Sequence, residues 1–357
     1  MDKEKEKETK NKGSMRKYMA SLYVLLGMIA LTFYVIFRNY ELGDVFKIAH
    51  NADHRLLLAA CIMILGHLVL GARALQLLLK SMHRPTGLFA CCRYCAIDFY
   101  FSAVTPSATG GQPVQAFYMA KDGISYGIST VALVLILIVY KIVLVLLGIG
   151  ALIFRLPYVI DHGVLVTLLY VLGLLFNVAM IVFALCCIFS PTLLHGIVSR
   201  AIRWLSRHHI IKRPEKTMET FENYSQEMRK AADYIRDNRM TSLHVFLVTL
   251  LQRLCLFSVS YLVYRSLHLS GAGFFDLVFI QVVISISVDS LPFPGGVGAT
   301  EAVFLVLYHG IYTSSMLVSA MMLTRGIAFY LYLIIAALIT VANQLALMHE
   351  QRKLAGY

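Results

Sequence analysis

Two short stretches decide the fold. Leu291-Pro292-Phe293-Pro294-Gly295-Gly296-Val297-Gly298 cuts an apolar region running from 274 to 309. Thr105-Pro106-Ser107-Ala108-Thr109-Gly110-Gly111-Gln112-Pro113 cuts a second one, from 88 to 121. Proline lacks the N–H that a helix interior requires, and its ring clashes with the preceding turn. Backbone groups freed by such a break cannot be satisfied by lipid tails, only by protein or by water in a cavity. Each region therefore reads as a re-entrant hairpin of two half-helices rather than as a full span.

Working outward from the breaks, six runs are long and apolar enough to cross a bilayer: 18–37, 55–80, 125–154, 162–189, 242–268 and 313–347. The expected fold is all-α and integral to the membrane, with about six transmembrane helices plus two broken hairpins. Lys and Arg cluster in 1–17, in 80–93 and in 190–241, and sparsely elsewhere. Six spans and two hairpins place all three rich segments, and Arg352-Lys353, on the cytoplasmic side. That predicts a multi-pass protein of the inner (cytoplasmic) membrane with both termini cytoplasmic, the first hairpin entering from the cytoplasm and the second from outside.

The two halves run in the same order: two spans, a broken hairpin, a long span. Pro106 precedes Gly110-Gly111, and Pro292 precedes Gly295-Gly296. Each pair is followed by a long span carrying one cation, Lys141 or Arg325. Three crossings per half make the second copy inverted, so an inverted repeat is expected. The chain divides into a disordered N-terminus (1–17), a first repeat (18–155), a second repeat (162–347, including the cytoplasmic loop 190–241) and a tail (348–357).

Composition agrees. The chain is 59% hydrophobic and 15% charged, with a mean hydropathy of +0.71, too few charges for a large soluble domain. The net charge of +12 suits anionic lipid beside the spans better than nucleic acid. Within the loop, Arg200, Arg203 and Arg207 alternate with apolar residues, the pattern of a helix lying on the membrane surface. The seven cysteines fall in or near apolar segments, and Cys92–Cys95 is a lone CxxC, so neither a disulfide framework nor a metal site is expected. Gly123-Ile124-Ser125-Tyr126-Gly127 fits a nucleophile-elbow pattern but follows no strand, and no catalytic residue is assigned.

A half-helix that starts at a Gly/Pro break points its unpaired N–H groups and positive end into the membrane interior, a seat for phosphate. Those helices are expected to begin near Gln112-Pro113 and Gly298-Ala299. Lys141 and Arg325 lie deep in spans, where a charge costs about 2.5–3.5 kcal/mol. Each calls for a partner: a phosphate head group, or a carboxylate such as Glu301, Asp289 or Asp98. Arg73 and Arg253 form a second, weaker pair, with Arg73 close enough to the surface to snorkel. Glu301 reads either as a cap of its half-helix or as a group meeting an amine or a proton. Thr105, Ser107, Thr109 and Gln112 are polar groups at the first break. The head-group candidates are Thr109, Gly110, Gly111, Gln112, Lys141, Asp289, Gly295, Gly296, Glu301 and Arg325. No cofactor is expected.

The two breaks also carry a resemblance. TPSATGGQPVQAFYMAKDGIS at 105–125 and DSLPFPGGVGATEAVF at 289–304 resemble the paired signatures of the lysylphosphatidylglycerol synthase membrane region, the flippase-like part of the MprF family. The resemblance implies a bacterial protein that moves aminoacylated phosphatidylglycerol, or a related phosphate-headed lipid, to the outer leaflet. That lowers the negative surface charge and gives resistance to cationic antimicrobial peptides. The expected partners are anionic or aminoacylated phospholipid, the bilayer, a separate synthase subunit and, in a homo-oligomer, further copies of the chain. Full-length members add a cytoplasmic domain that transfers lysine from lysyl-tRNA. This sequence stops at Tyr357 without one, so lysyltransferase activity, with its tRNA partner, stands as the alternative, and a non-transporting scaffold as a second.

Overall fold

The computed structural model describes residues 50–105, 108–189, 191–207, 238–291 and 293–354, with isolated positions at 47, 218, 219, 221 and 222. The expected span 18–37, the segment 1–17, Pro106, Ser107, Pro292 and most of 208–237 lie outside the described residues.

Every named element among them is a helix, and five are long and apolar enough to cross a membrane. The chain is an all-α integral membrane protein that crosses the bilayer several times. Helix α1 (His54–Ser81) opens at Asp53, whose side chain accepts the Arg55 N–H at 2.9 Å. Its 28 residues rise about 42 Å, longer than a hydrocarbon core. Leu58, Ile62, Leu65 and Val69 stay exposed along it, and α5 (Val164–Phe189) likewise exposes Val164, Leu165, Leu168 and Leu175. Apolar faces this extensive have no place in water.

The first broken region is α2 (Leu88–Val104), a corner, and α3 (Gly111–Lys121). Thr105 builds the corner: its hydroxyl donates to the Phe101 carbonyl at 2.6 Å and accepts the Gly110 N–H at 3.0 Å. At the other end, Asp122 accepts from the Arg93 guanidinium and the Tyr94 hydroxyl, tying the end of α3 back to the start of α2. α3 begins at Gly111, so Pro113 sits in the first turn, where its missing N–H has no intrahelical partner to lose.

Helix α4 (Tyr126–Asp161) begins at Ser125, whose Oγ accepts the Ile128 N–H at 3.4 Å. The serine of the elbow-like pattern is thus a helix cap. α4 runs on through Arg155 and Pro157 to Asp161, absorbing residues 155–161 that were expected as a connection. Arg155 pairs there with Asp276, so the helical extension has a partner in the other half. After α5 comes α6 (Pro191–Arg207), then α7 (Arg239–Ser266).

The second broken region is α8 (Phe274–Asp289), a turn at Pro294–Gly296, and α9 (Ala299–Leu307). Gly295 and Gly296 have φ of 58° and 64°, the left-handed region that only glycine enters freely. The last expected span is one continuous rod with a π-helical turn inside it. α10 (Ser314–Arg325) passes through a π-helical turn, Gly326–Leu331, into α11 (Tyr332–Leu354).

Packing is reciprocal. α1 and α7 lie along each other, α2 of the first broken region packs on α11, and α8 of the second packs on α4. Each broken region thus packs on a long helix of the opposite half, and the Pro294–Gly296 turn of the second touches α2 of the first.

Candidate functional site

The two breaks come together. The ring of Phe329 and the carbonyl of Ala103, at the end of α2, lie 2.5 and 3.2 Å from where a Cβ on Gly295 would be. Ala108 of the first corner and Gly295-Gly296 of the second turn line one cavity of about 340 Å³, enough for a lipid head group. Its walls come from both halves. His67, Phe99 and Tyr332 form an aromatic side, with Phe99 stacked on Tyr332 at 3.9 Å and His67 edge-on to it at 5.6 Å. The His67 Nδ1–H donates to the Gln252 carbonyl at 3.0 Å, joining α1 to α7.

Two buried ion pairs flank this space. Lys141 of α4 donates to Asp289 at the end of α8, and the Tyr140 hydroxyl donates to the other Asp289 oxygen at 3.3 Å. Arg325 Nε donates to Glu301 at 2.8 Å, and the Tyr330 hydroxyl reaches the same oxygen at 3.4 Å. The second Glu301 oxygen accepts the Gly298 N–H at 2.7 Å, so the carboxylate also caps α9. The side chains are only 8% and 17% exposed in the first pair, and 12% and 8% in the second. That removes them from the screening that makes surface pairs weak. Of the two sequence readings of Glu301 the cap is the one seen here, and its charge is matched by Arg325.

The expected site residues divide accordingly. Asp289, Gly295, Gly296 and Arg325 line the cavity, while Lys141 and Glu301 are their partners one layer out. Thr109, Gly110, Gly111 and Gln112 are not among the lining residues. Gly111 instead starts α3 against Asp98 and Ser102, where a Cβ would overlap both side chains. Asp98 brings a carboxylate to the positive end of α3, as Glu301 does for α9. Its Oδ1 is buried without a hydrogen-bond partner. Arg200, Arg203 and Arg207 are exposed along α6, away from the cavity.

Arg73 and Arg253 part company. Arg73 is exposed and donates to Gln76 at 2.5 Å, whereas Arg253 lines the cavity with its guanidinium 4.4 Å from the centre of the Tyr140 ring. The sequence offered one clue to that prominence. Arg253 stands 14 residues after Arg239 and 13 before Ser266, halfway along its span. The aromatic side of the cavity had no such signal, because Phe99, Phe329 and Tyr332 look like any apolar positions in a membrane helix.

The cavity offers polar backbone at the breaks, an arginine-bearing wall and apolar surface around them. A family model described as the lysylphosphatidylglycerol synthase TM region matches residues 19–336. No curated protein matches the chain.

Proposed function

Because the chain belongs to the lysylphosphatidylglycerol synthase TM-region family, we propose that it is a flippase-like protein of the bacterial inner membrane. It takes the phosphate-bearing head group of an anionic or aminoacylated phospholipid into the cavity between its two breaks and passes that lipid across the bilayer. The convergence of both breaks on one cavity carries this reading. A polar, irregular backbone at membrane depth is tolerated only around a wet or ligand-filled space, and paired broken helices are how transporters build one. The reciprocal packing of each broken region on the opposite half supports an inverted repeat of 18–155 and 162–347, with hairpins entering from opposite faces and both termini cytoplasmic. Outward movement of an aminoacylated lipid would make the outer surface less negative and blunt cationic peptides.

The test is translocation. The full chain is reconstituted in phosphatidylglycerol vesicles with a head-group-accessible fluorescent analogue, and transfer between leaflets is followed by quenching from outside. Arg325→Ala, which alters the cavity wall and leaves Glu301 without its partner, is expected to abolish transfer and to lower the melting temperature. Unchanged transfer in Arg325→Ala, or no transfer by the wild type, overturns the reading.

A further inference from the structure

Lys141 and Arg325 each already face a carboxylate. A phosphate approaching either would meet a neutralised charge and the repulsion of Asp289 or Glu301 beside it. Arg253 is different. Among the described residues no carboxylate pairs with it, and its Nε is buried without a hydrogen-bond partner. The Tyr140 ring lies 4.4 Å from the guanidinium carbon. That ring steadies the plane by a cation–π contact and offers no acceptor. Buried donors are almost always satisfied, so an orphaned one needs an explanation. A cation at membrane depth without an anion is costlier still.

We infer that Arg253 is the residue that receives the lipid phosphate in this cavity, and that its lone unmatched charge selects a singly charged phosphodiester. This inference rests on the proposed head-group site. A guanidinium presents a planar fork of donors that fits two phosphate oxygens at once. Tyr140 holds the fork in register with the rest of the site, because its hydroxyl donates to Asp289 while its ring lies under Arg253. Ser260, Gln281 and Ser285 line the same cavity and supply neutral groups for a glycerol or its substituent. Leu256, Phe257, Ile284 and Val288 give the apolar surface on which the glycerol backbone rests. One unmatched cation balances one negative charge; a second charge on the ligand would stay uncompensated in a site of low dielectric.

The experiment measures binding of dihexanoyl phosphatidylglycerol, below its micelle concentration, to the purified full chain in detergent. Dihexanoylglycerol and inorganic phosphate serve as comparison probes. The phosphatidylglycerol should bind at least tenfold more tightly than either, since dihexanoylglycerol lacks the charge and inorganic phosphate lacks the apolar body. Arg253→Gln should weaken phosphatidylglycerol binding at least tenfold and leave the weak dihexanoylglycerol binding unchanged. Arg253→Lys should retain part of the affinity. The lipid-free melting temperature of Arg253→Gln should hold or rise, because an unmatched, half-buried charge has been removed. A fall in that temperature would make Arg253 a structural residue and overturn the assignment, as would Arg253→Gln binding within twofold of wild type. Inorganic phosphate binding as well as the lipid would overturn the choice of a lipid phosphodiester. A wild type that binds no phosphatidylglycerol overturns the head-group site itself, and this inference with it.

Discussion

Lys141 and Asp289 come from opposite halves of the chain, 148 positions apart, and meet as a buried ion pair at the edge of the cavity. The lysine belongs to an uninterrupted helix, the aspartate to the last turn before a break. The pair therefore fixes where the second broken region stops relative to the first long span. Removing one partner strands the other as an uncompensated buried charge. Lys141→Met is expected to cost about 3–5 kcal/mol, and Lys141→Met with Asp289→Leu less than either single change. Thermal unfolding of the four proteins in one detergent gives this double-mutant cycle, and purely additive losses would contradict the pairing.

Glu301 performs two tasks with two oxygens, so its substitutions should separate them. Glu301→Gln keeps an acceptor for the Gly298 N–H but loses the charge opposite Arg325. Glu301→Ala loses both, and should be less stable than Glu301→Gln by about 1 kcal/mol, the worth of one cap. Equal melting temperatures for the two variants would show that the cap contributes nothing.

The turn at the second break makes a graded prediction. At Gly295 a Cβ meets both a left-handed backbone and the Phe329 ring at 2.5 Å, whereas at Gly298 φ is 85° and nothing lies within 4 Å. Gly298→Ala should cost about 1 kcal/mol of backbone strain alone, and Gly295→Ala about 2–4 kcal/mol once overpacking is added. Gly326→Ala, with open space and an ordinary backbone, should change little. Chemical denaturation would rank the three, and the reverse order for Gly295 and Gly326 would sink the account.

Trp204 is the single tryptophan of the chain; it is 59% exposed on α6 beside Arg203. If α6 lies on anionic lipid, Trp204 emission should shift to shorter wavelength in phosphatidylglycerol nanodiscs relative to phosphatidylcholine. Replacing Arg200, Arg203 and Arg207 with Gln should remove the difference, each arginine contributing about 1 kcal/mol of surface attraction. Identical spectra in both lipids would argue against the surface role.

How far the sequence reached depends on what kind of signal each feature leaves. Long apolar runs and Gly/Pro clusters are local, so five of the six expected spans correspond to described helices, and the second half-helix starts at Ala299 beside Gly298 as read. The carboxylate partners of Lys141 and Arg325 were among the options, since a buried charge demands one, but which carboxylate went where is set by packing across the halves. Thr105 was read as a polar group at the break; only the folded corner shows its hydroxyl engaged twice by backbone. Residues 155–161, with Arg155, fell between the expected spans 125–154 and 162–189. The pairing with Asp276 in the other half, invisible along the chain, accompanies a helix that continues past Arg155 and Pro157.

The π turn after Arg325 sets the phase of the final span. Such a turn holds about one residue more than an α-helical one, and each residue adds about 100° of rotation. Arg325 takes its bearing from Glu301 in the second broken region. Beyond the turn, Tyr332 stacks on Phe99, and Gln344 accepts from the Tyr118 hydroxyl at 2.9 Å, both in the first. The extra residue lets one continuous rod be indexed separately to two clients. Deleting Gly326 would rewind the rod into a plain α-helix and swing one set of contacts away from the other. The span would still be apolar, still long enough to cross, and out of step with half the molecule.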